Sequence, residues 1–339
     1  MFKAVRLNAT TYPVEPGERE ELARVDCELI AIEGQQPNDI IEAAAECDAL
    51  LVVSAYVPGT VIDRLTRCRV VSRLGAGTDR IDIATATRCG IVVANVPDFC
   101  INEQAEHTLA LVLSLARRLP WMMSAMRRYD WSARSDPGVH RMAGRTLGLV
   151  GFGAGAKAVA ERARGFGLRL VAWARTPERH RADAERIGVE LIDLDRLLTE
   201  SDFVSIHLPL TSDTRHLIDA AKLRLMKASA VLINTARGAI VDENALVDAL
   251  RANQIAGAAL DVFEGIDVFA LSGTPANHPL LSLDNVILTP HCAGSSVEST
   301  LDSKVRGARN AAMVLSGKWP PSVVNPDVRP RFELKFEVN

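Results

Sequence analysis

Residues 146–157, with the sequence TLGLVGFGAGAK, limit the fold of this 339-residue chain more than any other segment. An apolar run is followed by closely spaced glycines and then by a helical pattern, which predicts a strand, a tight turn and a helix in that order. Such a unit continues into a second, parallel strand, and the apolar run Arg169–Trp173 follows at the required distance. The segment therefore predicts a parallel α/β sheet.

Short apolar runs alternate with helical patterns on both sides of a long apolar helix predicted at Glu103–Leu119. This alternation is typical of parallel sheets with helices on both faces. The first series predicts strands at Phe2–Leu7, Glu28–Ile32, Ala49–Val53, Val70–Leu74 and Ile91–Ala94. The second series predicts strands at Thr146–Val150, Arg169–Trp173, Phe203–Ile206, Val231–Asn234, Ala258–Val262 and Val286–Leu288.

The second series lies between two long predicted helices, Glu103–Leu119 and Val297–Leu315, which suggests an inserted domain. We predict a first domain from residues 1–101 and 297–339, and a second from residues 102–296. The fold class is α/β, with two doubly wound parallel-sheet domains: a Rossmann domain inserted into a flavodoxin-like domain. Trp121–Met142 is predicted to be irregular, and the tail after Trp319 is expected to be mobile or to wrap a neighbouring subunit.

Composition and charge exclude several classes of function. The formal net charge is −3 without a long charge run, so neither nucleic acid nor a membrane surface is an expected partner. The N-terminus does not resemble a signal peptide, and the longest apolar stretch, Thr108–Ala116, is too short to cross a bilayer. Six scattered cysteines without CxxC or metal-ligand spacing predict reduced thiols in a cytoplasmic protein and no metal site.

The glycine segment predicts a dinucleotide site. Gly151 permits the tight turn, and Gly153 lets the backbone approach a pyrophosphate. Ala156 occupies the third position, where a small residue allows close packing of helix and strand. With Gly155, the start of the helix offers N–H groups and a positive dipole end to phosphate.

The end of the second strand bears on which dinucleotide is used. An acidic residue here commonly holds the ribose 2′-hydroxyl of NAD, but this sequence has Ala174, Arg175 and Thr176. An arginine can form a charge-assisted pair with the 2′-phosphate of NADP. The pattern favours NADP(H); the alternative is a solvated Arg175 and use of NAD(H) with weaker ribose contacts.

Three later strand ends carry Arg237, Asp261 and His291, where open α/β sheets bind ligands. With these motifs the chain resembles the D-isomer-specific 2-hydroxyacid dehydrogenase family, over nearly all of its length up to about Pro326. The stretch Pro97–His107 most resembles the branch that contains C-terminal-binding-protein-like members. The resemblance rests on Gly151–Ala156, Asn234–Gly238, Leu260–Glu264 and Thr289–Ala293, with further similarity at Ser72–Gly77, Ile81–Asp82, Asn95–Pro97 and Glu106–Thr108.

The resemblance implies hydride transfer between NAD(P)(H) and a small 2-oxo or D-2-hydroxy acid in a homodimer. Arg237 would bind the substrate carboxylate and polarise the 2-oxo oxygen, helped by backbone N–H groups of Ala76 and Gly77. His291 would donate the proton, for which an imidazole is suited near neutral pH. Further residues would line the cofactor site: His207, Pro209, Thr235, Ala236, Asp261, His291 and Gly294.

One position departs from the family pattern. The family has a glutamate, five residues after the residue matching Asp261, that pairs with the histidine; this chain has Ile266. Asp267 or Glu264 could take that role, the histidine could act alone, or the chemistry could be feeble; we favour Asp267 as a catalytic residue. The alternative function is a dinucleotide-sensing binding protein with vestigial catalysis. The sequence does not identify the acid.

Overall fold

The computed structural model describes residues 1–34, 36–135, 138–266 and 278–335. The chain forms two compact units, Met1–Cys100 with Ser296–Asn339, and Ile101–Ser295. Each boundary lies one residue before the corresponding predicted one. We refer to these as unit 1 and unit 2.

Unit 1 begins with five parallel strands and four helices. The strands are β1 (Phe2–Arg6), β2 (Cys27–Ala31), β3 (Ala49–Val52), β4 (Val70–Arg73) and β5 (Val92–Ala94). The helices are α1 (Pro16–Ala23), α2 (Pro37–Ala44), α3 (Gly59–Ile62) and α4 (Ile83–Arg88). The strand order is β2-β1-β3-β4-β5, the flavodoxin-like order. All four residues of β3, at the centre, are buried, which explains its uninterrupted apolar run.

Unit 2 contains a seven-stranded parallel sheet. Its helices are α5 (Ile101–Ala116), α6 (Leu119–Arg127), α7 (Ala154–Ala163), α8 (Arg181–Ile187), α9 (Leu194–Glu200), α10 (Ala220–Leu225) and α11 (Glu243–Arg251). Its strands are β6 (Thr146–Val150), β7 (Arg169–Trp173), β8 (Glu190–Leu191), β9 (Phe203–Ile206), β10 (Val231–Asn234), β11 (Gly257–Leu260) and β12 (Val286–Leu288). The order β12-β11-β10-β9-β6-β7-β8 is that of a Rossmann fold extended by one strand. The predicted fold class is therefore confirmed.

Helix α12 (Val297–Leu315) returns the chain to unit 1 and packs on β4. Gly307 makes the close approach because a Cβ there would lie 2.1 Å from Leu74 Cδ2. At the same position the buried Ser72 hydroxyl donates to the Gly307 carbonyl at 2.7 Å. A side chain at 307 would separate helix and sheet.

The described part of the tail packs on its own unit, which differs from the predicted mobile tail; the predicted contact with a neighbouring subunit stays a prediction. Val323 forms an antiparallel bridge with Ala94, at the edge of the sheet. The buried Asn325 accepts from Val93 N at 2.8 Å and donates to the Ile91 carbonyl at 3.0 Å. These bonds satisfy backbone groups of the edge strand β5 that would otherwise be open.

The prediction of an irregular segment after Leu119 is wrong for its first part, where α6 extends to Arg127. Arg118, at φ 50°, ends the preceding helix, and Pro120 lies in the first turn of α6. Met123 is 58% exposed, so the apolar pattern of α6 does not mark a buried face. Among the described residues, no helix is both long enough and apolar enough to cross a membrane.

Candidate active site

Strand register in unit 2 brings the ends of five strands to one edge of the sheet. Val150 of β6 pairs with Ile206 of β9, which pairs with Asn234 of β10. Asn234 pairs with Leu260 of β11, which pairs with Leu288 of β12. The segments that follow these strands, and β7, whose Trp173 pairs with Val150, contain the predicted site residues of unit 2: Gly151, Gly153, Gly155, Ala156, Arg175, Thr176, His207, Pro209, Thr235, Ala236, Arg237, Asp261, His291 and Gly294.

The turn after β6 requires glycine at its first position. Gly151 has φ +100°, and a Cβ there would lie 2.4 Å from the backbone carbonyl oxygen of His207. Its N–H donates to the Trp173 carbonyl at 2.9 Å, which ties the turn to β7. Both the conformation and the contact exclude a side chain.

The start of α7 fits a pyrophosphate. Gly153 is the N-cap, and a Cβ there would meet nothing within 4 Å, so the backbone is open to a ligand. No side chain of the described residues caps the helix, which leaves its first N–H groups for an anion. Ala156 is fully buried against the sheet, while Gly155 allows the close approach of Gln104.

Arg175, just after the end of β7, can present its guanidinium to the ribose of a bound dinucleotide. Ala174 is 9% exposed, and the next residue, Arg175, has a side chain that is 75% exposed. Its Nη1 lies 3.4 Å from an oxygen of Asp213, itself 73% exposed. Such an exposed pair contributes little to stability, so Arg175 can exchange this partner for another anion.

His207 is held neutral beside the glycine turn. Burial lowers the pKa of its imidazole to about 4, although part of the residue remains exposed. Its Nε2 lies 2.9 Å from the Ser205 hydroxyl oxygen. Nδ1 is buried and has no hydrogen-bond partner among the described residues. A buried polar atom without a partner is costly, so Nδ1 fits a polar ligand at this position.

The loop after β10 is held from two sides. The Asn234 side chain donates to the Arg237 carbonyl at 2.9 Å and accepts from Ala236 N at 3.0 Å. Gly238 lies so close to the next loop that a Cβ would be 2.0 Å from the Phe263 carbonyl carbon. Arg237 is partly exposed, and its Nη1 donates to the Ala236 carbonyl at 2.7 Å. Its guanidinium is thus presented on a fixed loop.

Helix α5 supports these loops through three polar residues in its first half. Gln104 Nε2 donates to the Thr235 carbonyl at 3.0 Å, and the Thr108 and Thr235 hydroxyls lie 3.0 Å apart. His107 Nε2 lies 3.1 Å from the Thr289 hydroxyl. Their i, i+3 and i+4 spacing puts them on one face of α5, but Asn102, Glu103 and Glu106 in the same half are also polar, so the signal is weak.

Asp261 organises the loop that carries His291. Its carboxylate is buried and accepts from the Thr289 hydroxyl at 2.6 Å, from Cys292 N at 2.9 Å and from Ala293 N at 2.8 Å. His291 has φ +54°, a left-handed conformation that the surrounding bonds fix. Burial and the neighbouring Asp261 carboxylate raise the pKa of the Cys292 thiol.

The Glu264 carboxylate is occupied by an arginine and a histidine from another loop. It contacts His216 Nε2 at 2.8 Å, and Arg215 Nη2 lies 2.5 Å from its Oε1. The adjoining Glu243 accepts from Glu264 N at 2.9 Å and pairs with His278 Nε2 at 2.7 Å. These five side chains form a charged cluster that sequence reasoning did not find, because its members come from segments far apart in the chain.

Ile266, at the position of the family's glutamate, is partly exposed. Asp267 lies outside the described residues, so its predicted pairing with His291 stays a prediction. In unit 1, the backbone at Ala76 and Gly77 is held through its carbonyls, by Asn95 Nδ2 at 2.7 Å and Arg73 Nε at 2.9 Å. Their predicted contact with a substrate carboxylate also stays a prediction.

A Rossmann sheet with a glycine turn, an open helix start, and an arginine and a histidine on loops at the same edge defines a dinucleotide-dependent oxidoreductase. The family model for the NAD binding domain of D-isomer specific 2-hydroxyacid dehydrogenases matches residues 109–293. The chain belongs to this family, and it is an NAD(P)-dependent 2-hydroxyacid dehydrogenase.

Individual relatives agree with this assignment. A glyoxylate reductase from Aeropyrum pernix is 40% identical over 297 residues, 85% of this chain and 86% of the relative. One from Thermococcus litoralis is 38% identical over 297 residues, 85% and 87% of the two chains. The crystal structure of D-lactate dehydrogenase from Aquifex aeolicus, complexed with NAD and lactic acid, has a TM-score of 0.82 at 26% identity, covering 95% of this chain and 99% of that one.

The predicted family, activity and nicotinamide dinucleotide cofactor are thus confirmed, and the sensor alternative is not favoured. Membership of the C-terminal-binding-protein-like branch stays a prediction.

Proposed function

We propose that this protein uses NADPH to reduce a small 2-oxo acid such as glyoxylate. The observation that carries the proposal is the register of β6 and β9–β12, which brings the Arg237 and His291 loops to the edge that holds the glycine turn. The glyoxylate reductases among the relatives support a small acid without a phosphate.

The residues of this chain provide binding and proton transfer, and the bound nicotinamide supplies the hydride. Arg237 binds the substrate carboxylate and polarises the 2-oxo oxygen, where negative charge develops. His291 donates a proton to that oxygen and removes it in the reverse direction. Asp261 acts through the loop it organises, because its oxygens already accept bonds from Thr289, Cys292 and Ala293.

The preference for NADPH rests on Ala174 and Arg175. Position 174 carries no carboxylate to repel a 2′-phosphate, and the exposed guanidinium of Arg175 can exchange its Asp213 partner for that phosphate. The unpartnered Nδ1 of His207 offers a further polar contact to the dinucleotide.

A substrate panel tests the proposal. Purified protein is mixed with NADPH or NADH and with glyoxylate, hydroxypyruvate, pyruvate or phenylpyruvate, and loss of reduced-nicotinamide absorbance is followed. We expect turnover with at least one small 2-oxo acid and a higher kcat/KM for NADPH. Turnover only with NADH would refute the cofactor preference. Dinucleotide binding without turnover of any acid would refute the reductase proposal and favour a dinucleotide-sensing binding protein instead.

The proposed homodimer would use an apolar surface on unit 2. This surface comprises the exposed side chains Leu119, Met123, Met126, Tyr129 and Trp131. Beside it, at the amino ends of the strands, lies a cavity of about 520 Å³ whose lining includes Trp121, His140 and Asp284. Exposed apolar clusters of this kind mark association sites. The double variant Met123→Glu, Trp131→Glu should be monomeric by light scattering, and Val297→Glu, a more exposed apolar position in unit 1, should match the parent.

All six cysteines are free thiols. We therefore propose a reducing, cytoplasmic location, which fits unpaired cysteines in a chain of this size.

A further inference from the structure

Three side chains with metal-binding atoms meet between α5 and the two loops that follow β11 and β12. They are His107, Asp261 and Cys292, and their ligand atoms all lie within 4.8 Å of one another. His107 Nε2 is 3.7 Å from Asp261 Oδ1. Ligand atoms around a tetrahedral zinc ion are about 3.3–3.8 Å apart, given metal–ligand distances of about 2.0–2.3 Å. Small side-chain rotations would therefore close a site.

We propose that this cluster binds a divalent metal ion of the zinc type. An imidazole, a carboxylate and a thiolate are the ligands that zinc takes in proteins. The thiolate disfavours magnesium and calcium, which prefer oxygen. Three protein ligands leave the fourth tetrahedral position for water or another small ligand. The ligands come from three segments far apart in sequence, which is why no metal-ligand spacing is visible in the chain.

The carboxylate of Asp261 is already oriented for this role. Oδ1 accepts from the Thr289 hydroxyl at 2.6 Å and from Cys292 N at 2.9 Å. Oδ1, the oxygen 3.7 Å from His107 Nε2, would exchange one of these two bonds for the metal, while the bond from Ala293 N to Oδ2 at 2.8 Å holds the carboxylate in place. Hydrogen bonds of this kind fix the direction of a ligand carboxylate in established metal sites.

The burial and the accessibility of the three side chains are also suited to binding a metal ion. The Asp261 side chain is 1% exposed, whereas His107 is 22% exposed and Cys292 is partly exposed. An ion can enter past the imidazole and the thiol and reach the buried carboxylate. A bound ion would attach α5 to the loop that carries His291, and it would replace the contact of His107 Nε2 with the Thr289 hydroxyl.

Metal binding can be measured on the full chain without any enzymatic assay. Protein freed of metal with a chelator is titrated with Zn²⁺ in competition with a chromophoric chelator, and separately with Co²⁺, whose spectrum shows a charge-transfer band when a thiolate is a ligand. We expect one Zn²⁺ per chain and this band. Cys292→Ala should abolish the band and weaken Zn²⁺ binding more than about 100-fold, beyond the loss typical of an outer-shell partner. His107→Gln should weaken binding while keeping the band.

Cys89→Ala is the matched control, because Cys89 is also partly exposed and its Sγ also contacts a carboxylate, Asp63 Oδ1 at 3.5 Å. It should bind Zn²⁺ as the parent does. The proposal is overturned if the parent binds Zn²⁺ no better than Cys292→Ala, if Cys89→Ala removes the site, or if bound Co²⁺ shows no thiolate band. Because none of these readouts needs turnover, they stand apart from any failure of the reductase assignment.

Discussion

The two ends of the carboxyl edge in unit 2 are built by different means. At the ends of β6 and β9 the determinants are backbone space and an uncharged side chain: a glycine at φ +100°, an open N-cap and a neutral His207. At the ends of β10–β12 they are charged and hydrogen-bonded side chains, Asp261 and the cluster around Glu264. The first end therefore depends on backbone space, and the second on pairing between distant residues.

Removing the proposed proton donor should impair catalysis at the second end of the edge and leave dinucleotide binding at the first end intact. His291→Asn should lower kcat for 2-oxo acid reduction by about 10²–10⁴-fold, the range for loss of a general acid. Dinucleotide binding, measured by nicotinamide fluorescence, should persist. His216→Asn is the control, because both histidines have left-handed φ, 54° and 52°, which asparagine tolerates. Equal losses in the two variants would contradict the role of His291.

Adding a methyl group at Gly151 should show how strictly backbone space limits the first end. Gly151→Ala should reduce the free energy of unfolding by about 3 kcal/mol, the scale of severe backbone strain and overpacking, and abolish dinucleotide binding. Gly153→Ala, with φ −79° and open space, should fold as the parent does and lose only dinucleotide affinity. Urea unfolding and fluorescence titration measure both. Similar stability of the two variants would refute the steric account.

Lowering the pH should reduce the free energy of unfolding through His207, which lies at the first end of the edge. Its folded-state pKa of about 4 lies below the ordinary value of 6.5, so the unfolded chain binds more protons between these values. Stability should fall as pH drops from 6.5 towards 4, by about 1–2 kcal/mol at pH 5 relative to pH 7 for this partly exposed residue. His207→Gln should remove that component of the urea-unfolding pH profile. An unchanged profile would show that His207 is not the cause.

The smallest effect is expected at the exposed Arg175. Arg175→Ala should lower kcat/KM with NADPH about tenfold, the effect of losing one charge-assisted bond at a solvated site. The value with NADH, which lacks the 2′-phosphate, should not change and serves as the internal reference. Parallel losses with both cofactors would mean that Arg175 does not recognise the phosphate.

Much of the fold could be predicted because its signals are local. Val297–Leu315 is a helix as predicted, and the strand Thr146–Val150 was placed correctly from its apolar run. The two-residue strand Glu190–Leu191 was not found, since so short a segment has no periodicity. Helix α6 was also missed, because its apolar residues are exposed and do not mark a buried face.

The sequence by itself determined the glycine turn and the alternation of strands and helices, because these depend on backbone conformation and on spacing along the chain. Only the tertiary structure decided the partners of the carboxylates. Glu264 contacts His216, 48 residues away, and Asp261 binds the loop 28 to 32 residues further on. Strand order and register decide which loops meet, so side-chain pairing follows from positions in space that sequence spacing does not contain.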